Sequence, residues 1–359
     1  MKNISIPYMQ IRGGSSKGIY FNKKDLPSDA DIRDTVVLDI VGRDERQIDG
    51  LGGANPLTSK VAIINKSTEK GIDIDYLFMQ VVVGQGRVDI APNCGNILAG
   101  VGIFAIQNNI ISTTHPTTKI KVKMLNSGSV CELIMQTPNG ILKTTGETKI
   151  DSVDGTSASI ICNYLNISGS ICGSLFPTGN KKDQIDGINI TCIDNGMPVV
   201  LIKAEELKKT GYESCEELNN DLLLKQKLEK IRIKAGHMMN LDDVSDKSIP
   251  KMCLISLPIG SGNINTRTFI PHKCHSAIGV LGAVSVASAC LYSGCVTDGI
   301  CEITTEKESA KLIVEHPSGS FEVNLAYQLS EKEPTIHSAG IVRTARLISE
   351  GKAYPYENN

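Results

Sequence analysis

The chain has 359 residues, 41% of them hydrophobic and 21% charged, which places it with folded globular proteins rather than disordered chains or coiled coils. Its 37 basic residues against 39 acidic ones leave a net charge of −2, which excludes the basic face of a general nucleic-acid binder. Aromatics make up 4% and Trp is absent, which excludes stacking platforms for bases or sugars.

In chain order, the opening MKNISIPYMQIRGGSSKG has no apolar run of export-signal length, so a cytoplasmic location is expected. Arg12-Gly13-Gly14-Ser15-Ser16-Lys17-Gly18 follows, without the spacing of a phosphate loop or a dinucleotide fingerprint. It reads either as a carboxylate or phosphate cradle, offering N–H groups, hydroxyls and two cations, or as a plain hairpin turn. A second such loop runs from Leu51 to Lys60 and contains Asn55. Lys60 opens the apolar run VAII, so its amine is either a desolvated acid/base group or a solvated strand-edge lysine. Short β-branched runs bounded by turn residues predict strands over 60–64, 77–83, 119–125, 130–136, 159–163, 188–193, 199–202, 252–257, 311–315 and 320–324.

Two segments differ. Gly95–Asn108 and Ser276–Tyr292 are small or apolar on every side, and a helix apolar all round must be buried all round. Both are too weakly apolar for a bilayer, so no membrane is expected as a partner. One lies in each half of the chain among strands, which predicts two like domains, each a curved sheet wrapped around one central helix. The polar stretch Pro177–Asp186 suggests their boundary: 1–182 and 183–359, with the C-terminal segment free to return to the first domain. A polar helix is expected over Cys215–Ala235, and Gly340–Lys352 reads as a final strand or short helix with solvated Arg343 and Arg346.

Each buried helix is preceded by a polar cluster. Before the first stand Ala91-Pro92-Asn93-Cys94, which put Asn93 or Cys94 at the cap and Cys94 where the helix dipole favours thiolate. Cys94 is then either a proton-abstracting base or a buried thiol at a crowded helix start. Before the second stand Pro271-His272-Lys273-Cys274-His275-Ser276. Two such helix starts facing one another would suit a ligand with two or more carboxylates. The 11 cysteines are odd in number and hold no C-x-x-C, so most read as buried reduced thiols, and no metal or cofactor site is expected.

RGGSSKG, GLGGANPLTSKVAII, APNCGN, DGTSASI, IDNGMPVV, EHPSG and VRTARLISEG occur in that order from Arg12 to Gly351. This pattern resembles the PrpF/methylitaconate Δ-isomerase family, which includes 4-oxalomesaconate tautomerase. The resemblance implies an α+β fold like that of diaminopimelate epimerase: two pseudo-symmetric domains with the site between them, and no cofactor. It implies Lys60 and Cys94 as the acid/base pair, with substrate held by Ser16 and Lys17, by Asn55, Asn93, Gly95 and Asn96, and by a carboxylate-binding stretch from His275 to Gly282. The family commonly has Thr where this chain has Leu281. The implied activity moves a proton and a double bond within a small unsaturated di- or tricarboxylate, with methylitaconate first. A 2-methylaconitate cis/trans isomerase, an oxalomesaconate-type tautomerase, a two-cysteine racemase and a non-catalytic accessory protein are the alternatives. A homo-oligomer is compatible with the sequence.

Overall fold

The computed structural model describes residues 5–90, 93–301, 303, 308–329 and 333–356. The chain divides into two units, one of Met1–Asn163 with Val342–Asn359 and one of Tyr164–Ile341. The division falls ahead of the expected boundary at 182, and the last segment belongs to the first unit. The polar stretch around Lys181 lies inside the second unit, with the Lys181 amine over the rings of Phe176 and Tyr292 at 4.3 and 4.4 Å.

In the first unit, β1 (Ile6–Gly13) and β2 (Ser16–Asn22) form a hairpin. Helix α1 (Ala30–Val41) leads to β3 (Lys60–Lys66), β4 (Ile74–Val82) and β5 (Arg87–Asp89). Helix α2 (Gly95–Gln107) precedes the hairpin of β6 (Thr117–Met124) and β7 (Val130–Gln136). β2 pairs parallel with β3, β3 antiparallel with β4, and β4 parallel with β6. Side chains alternate across a sheet, so the unit has two faces. Ile19, Phe21, Val61, Ile63, Met79 and Val81 meet the apolar half of α1, while the other face wraps α2. Ile97, Leu98, Val101, Ile103 and Phe104 of α2 are at most 2% exposed, each worth about 1.5–3 kcal/mol of burial.

The second unit repeats this order. β8 (Ile160–Leu165) spans the division, and β9 (Asp183–Ile185) pairs with β10 (Ile188–Asp194). β10 forms a hairpin with β11 (Pro198–Lys203). Helices α3 (Cys215–Asn220) and α4 (Leu222–Met238) come before β12 (Lys251–Ser256) and β13 (Ile264–Phe269). Helix α5 (Val280–Ala289) precedes β14 (Ser309–His316), β15 (Gly319–Leu329) and β16 (Pro334–Arg343). β11 pairs parallel with β12, β12 antiparallel with β13, β13 parallel with β14, and β14 antiparallel with β15. Both units therefore run hairpin, outer helix, hairpin, buried helix, hairpin, joined by parallel pairings. Sheets rolled around α2 and α5 make this the α+β architecture the sequence implied, and no helix among the described residues is long and apolar enough to cross a membrane.

β17 (Ala345–Ala353) returns to pair with β1 in the first unit. The expected solvated Arg343 is in fact 3% exposed, because it lies inward at the end of β16 with Nη1 donating to Val342 O at 2.8 Å; Arg346 is exposed.

Candidate functional site

Alternation and register set the inner face of the first unit. Ser16, Gly18 and Tyr20 of β2 share it with Lys60, Ala62 and Ile64 of β3 and with Tyr76, Phe78 and Gln80 of β4. Helix α2 lies on this face and starts at its Lys60 end. Gly18 pairs with Lys60, and a Cβ at Gly18 would stand 2.8 Å from Lys60 O and 3.0 Å from Ile97 Cδ1. The glycine is there because strand and helix close upon it from both sides.

Cys94 is the N-cap of α2, extended at φ −134° and ψ 100°, and no side chain caps the helix. Its carbonyl accepts from Leu98 N at 3.1 Å and from Tyr76 Oη at 3.3 Å. Tyr20 Oη donates to Ile97 O at 2.6 Å, so two tyrosines of the sheet hold the first turn. Burial, then the neighbouring Cys94, pushes the Tyr20 phenol well above its ordinary pKa, so it stays a neutral donor. Pro92, expected to help set the turn before Cys94, lies outside the described residues along with Ala91.

The RGGSSKG stretch is a two-residue hairpin turn and also abuts the helix start. Gly14 has φ +52°, and a Cβ there would fall on the Asn96 carboxamide. Asn96 Nδ2 donates to Ser15 Oγ at 3.1 Å. Arg12 Nη1 donates to Gly14 O and Thr344 O, both at 2.9 Å, and fixes the turn from behind. Three buried polar atoms here have no hydrogen-bond partner: Ser16 Oγ, Asn93 Oδ1 and Asn96 Oδ1. Such atoms cost stability unless a ligand meets them.

Lys60 Nζ donates to Gln80 Oε1 at 2.7 Å and stands 5.1 Å from the centroid of the Phe78 ring. Its loop is closed by Gln47, whose buried side-chain oxygen accepts from Ala54 N at 2.8 Å and Ser59 Oγ at 2.7 Å. Asn55 is exposed and turns its Oδ1 onto Leu57 N at 2.9 Å, so it shapes the loop. Gly95 is the first residue of α2. Lys17 falls on the opposite face of β2 by alternation and does not join the group.

In the second unit the expected helix start shifts. α5 begins at Val280 with Gly279 as N-cap, so His275 does not stand at the cap as Cys94 does. The residues before Gly279 are diverted: His275 N donates to Thr268 O at 2.8 Å, and His275 Nδ1 accepts from Ala277 N at 2.8 Å. Burial lowers the pKa of this imidazole. Gly282 lies in the first turn of α5, just before Ala283 N makes the helix's bond to Gly279 O at 2.9 Å.

Two other motifs quoted from the sequence turn out to be architectural. In IDNGMPVV, Asp194 accepts from Ile171 N and Cys172 N, both at 2.8 Å, while Asn195 ties β10 to Ser285 and Ser288 of α5 at 3.1 and 2.7 Å. In EHPSG, Glu315 gathers Ile259 N, Gly260 N and Gly262 N at 2.6, 2.9 and 2.9 Å. Gln80, Tyr20 and Tyr76 were missed from the sequence. Their one signal is a row of polar-tipped side chains on alternate positions of strands otherwise apolar.

Residues 3–355 match the family model described as PrpF protein. A 4-oxalomesaconate tautomerase of Pseudomonas putida is 49% identical over 98% of this chain and 96% of its own length. A (4E)-oxalomesaconate Delta-isomerase of a Novosphingobium species is 45% identical over 98% of this chain and 97% of its own. The crystal structure of a methylitaconate-delta-isomerase superposes with a TM-score of 0.86 at 30% identity, covering 98% of this chain and 95% of that one.

Proposed function

The chain belongs to the PrpF family and is an isomerase, and on that premise we propose that it moves a proton and a double bond within an unsaturated di- or tricarboxylate, using Lys60 and Cys94 and no cofactor. The observation that carries this reading is the inner face of the first unit: an amine, a thiol at an uncapped helix start and three polar atoms without partners. Removing a proton next to a carboxylate builds negative charge that the carboxylate itself opposes. The open N–H groups of the first turn of α2 and the Ser16 hydroxyl are donors suited to that charge. One of the pair takes a proton from one carbon, and the other returns one at the far end of the allylic system. Asn55 stays in the proposal as a carboxylate-holding residue of this unit, His275 and Gly282 as carboxylate-holding residues of the second unit, and Lys17 leaves it because it stands on the opposite face of β2; a cytoplasmic location is supported by eleven free thiols.

Methylitaconate and oxalomesaconate both fit the class. The relatives at 49 and 45% identity are named for oxalomesaconate, against 30% for the methylitaconate isomerase structure, so oxalomesaconate is the first acid to assay. The test is isomerisation of both acids after dialysis against chelator, followed by Cys94→Ser, which should lose ~10²–10⁴-fold in rate while the fold is kept. Near-full turnover by Cys94→Ser would sink the mechanism. Failure of both acids with the intact protein would remove the substrate assignment.

A further inference from the structure

Cys215 is the first residue of α3, directly after the Ser214 cap. Its Sγ donates to His275 O at 3.4 Å, and Cys274 turns its own Sγ to the same oxygen at 3.9 Å. One carbonyl thus gathers two thiols from segments far apart in the chain. Bonds that do not involve sulfur hold both segments in place. Cys274 N donates to Asn219 Oδ1 of α3 at 2.8 Å, and Arg267 Nε of β13 donates to Glu213 O at 2.7 Å. Cys274 is bridged to Phe269 of β13, and His275 N donates to Thr268 O at 2.8 Å. The strand, the turn after it and the start of α3 form one clasp, with the two sulfurs inside it.

Access divides the roles of the two thiols. Cys274 belongs to the core of the second unit and is 7% exposed, while Cys215 is half-buried at the edge of that core. Burial, then the Cys215 thiol beside it, push the Cys274 thiol up, so Cys274 rests protonated. A small oxidant therefore meets Cys215 first. Two other thiol pairs touch, Cys131 with Cys162 and Cys290 with Cys301, and all four of those residues are buried. Cys94, the other half-buried thiol, stands at the head of α2 with Tyr20 and Tyr76 about it.

We propose that Cys215 and Cys274 form a dithiol that hydrogen peroxide converts to a disulfide, with Cys215 the attacking thiol and Cys274 the resolving one. The Cys215 sulfur attacks one peroxide oxygen. The O–O bond breaks, an S–O bond forms, and the other oxygen leaves as water with the thiol proton. The Cys274 sulfur then attacks the sulfenic sulfur. The S–S bond forms, the S–O bond breaks, and the hydroxyl leaves as water with the second thiol proton. Two thiols give two electrons, and one peroxide is reduced to two waters. The bridge fastens α3 to the segment that leads through His275 to α5, and it spares Cys215 the irreversible steps to sulfinic and sulfonic acid. Both residues lie within the second unit, and the proposal does not depend on the reaction assigned to Lys60 and Cys94.

In the experiment the reduced full chain is treated with hydrogen peroxide, denatured, alkylated with iodoacetamide and mapped without reduction by mass spectrometry, alongside a thermal melt of each variant. The parent should gain a bond between Cys215 and Cys274 that dithiothreitol removes. Cys274→Ser should stop at the sulfenic acid of Cys215, which dimedone traps. Cys215→Ser should slow oxidation of Cys274 ~10-fold or more, because the thiol that remains is buried. That variant carries the test if Cys274→Ser does not fold. Passage of Cys215 to sulfinic acid in the parent while Cys274 still takes up iodoacetamide would overturn the proposal. So would equal rates of Cys274 oxidation with and without Cys215, or a Cys215 left reduced by peroxide that oxidises Cys94.

Discussion

Ser16 is 3% exposed and its hydroxyl has no partner. A buried hydroxyl left unmade costs about 1–3 kcal/mol, so Ser16→Ala should hold or raise thermal stability. If the hydroxyl meets a substrate carboxylate, the same change should lower kcat/KM about tenfold or more, since a hydrogen bond to a charged group is worth about 1.5–3 kcal/mol. A variant that loses stability and keeps its kinetics would mark Ser16 as structural. Residues of this kind were legible because their types are rare where they stand: a thiol before an all-apolar helix, a lysine opening an apolar strand. Gln80 was not, since a glutamine on a strand looks the same in sequence whether it meets solvent or a lysine. Arg343 failed for the converse reason: nothing in VRTAR says which arginine lies inward.

At the scale of elements, the buried helices were legible from composition, and their ends were not. α2 runs one residue short of the expected span, while α5 loses residues at both ends of Ser276–Tyr292. The expected helix over Cys215–Ala235 is two, because Asp221 is extended (φ −81°, ψ 91°) and caps α4 through Leu224 N. α1 was missed: its second half, VVLDIV, has the look of a strand, and only the Asp29 side chain, accepting from Asp31 N and Ile32 N, starts it as a helix. The repeat places Lys251 at the head of β12 opposite Val199, as Lys60 stands at the head of β3 opposite Gly18. Burial, then nearby Arg232, lowers the Lys251 pKa to about 8. Below that pH both folded and unfolded chains carry the proton, and the folded chain bears the cost of the buried charge. Between pH 8 and about 10.5 the folded chain has released it and the unfolded chain has not, so stability from this group rises with pH. Lys251→Met should therefore be more stable by about 1–3 kcal/mol at pH 7, with the difference shrinking toward pH 10. Urea titrations at the two pH values check it, and a difference that stays constant between them would count against a buried cation.

At the scale of the molecule, all eleven cysteines are free; Cys94 and Cys215 are half-buried and the other nine are buried. Brief iodoacetamide treatment of the native protein should label those two first, with the others following only in denaturant, and a bound dicarboxylate should shield Cys94 alone. Mass spectrometry reads the sites, and early labelling of Cys253 or Cys290 would contradict the packing described. The duplicated architecture was legible only as two apolar helices among strands, because the repeat lies in element order and pairing, which tolerate almost complete change of residues. The return of β17 to β1 bears on how the protein is made. Arg12 and Thr344, 332 residues apart, are joined by a hydrogen bond behind the glycine turn. On a ribosome moving at about 5–20 residues per second, β1 waits roughly 20–60 s for that partner, with one edge unpaired and open to other strands in the meantime. The second unit's strands are all synthesised within that interval. A chain cut short before Thr344 therefore keeps a glycine turn that lacks its backing.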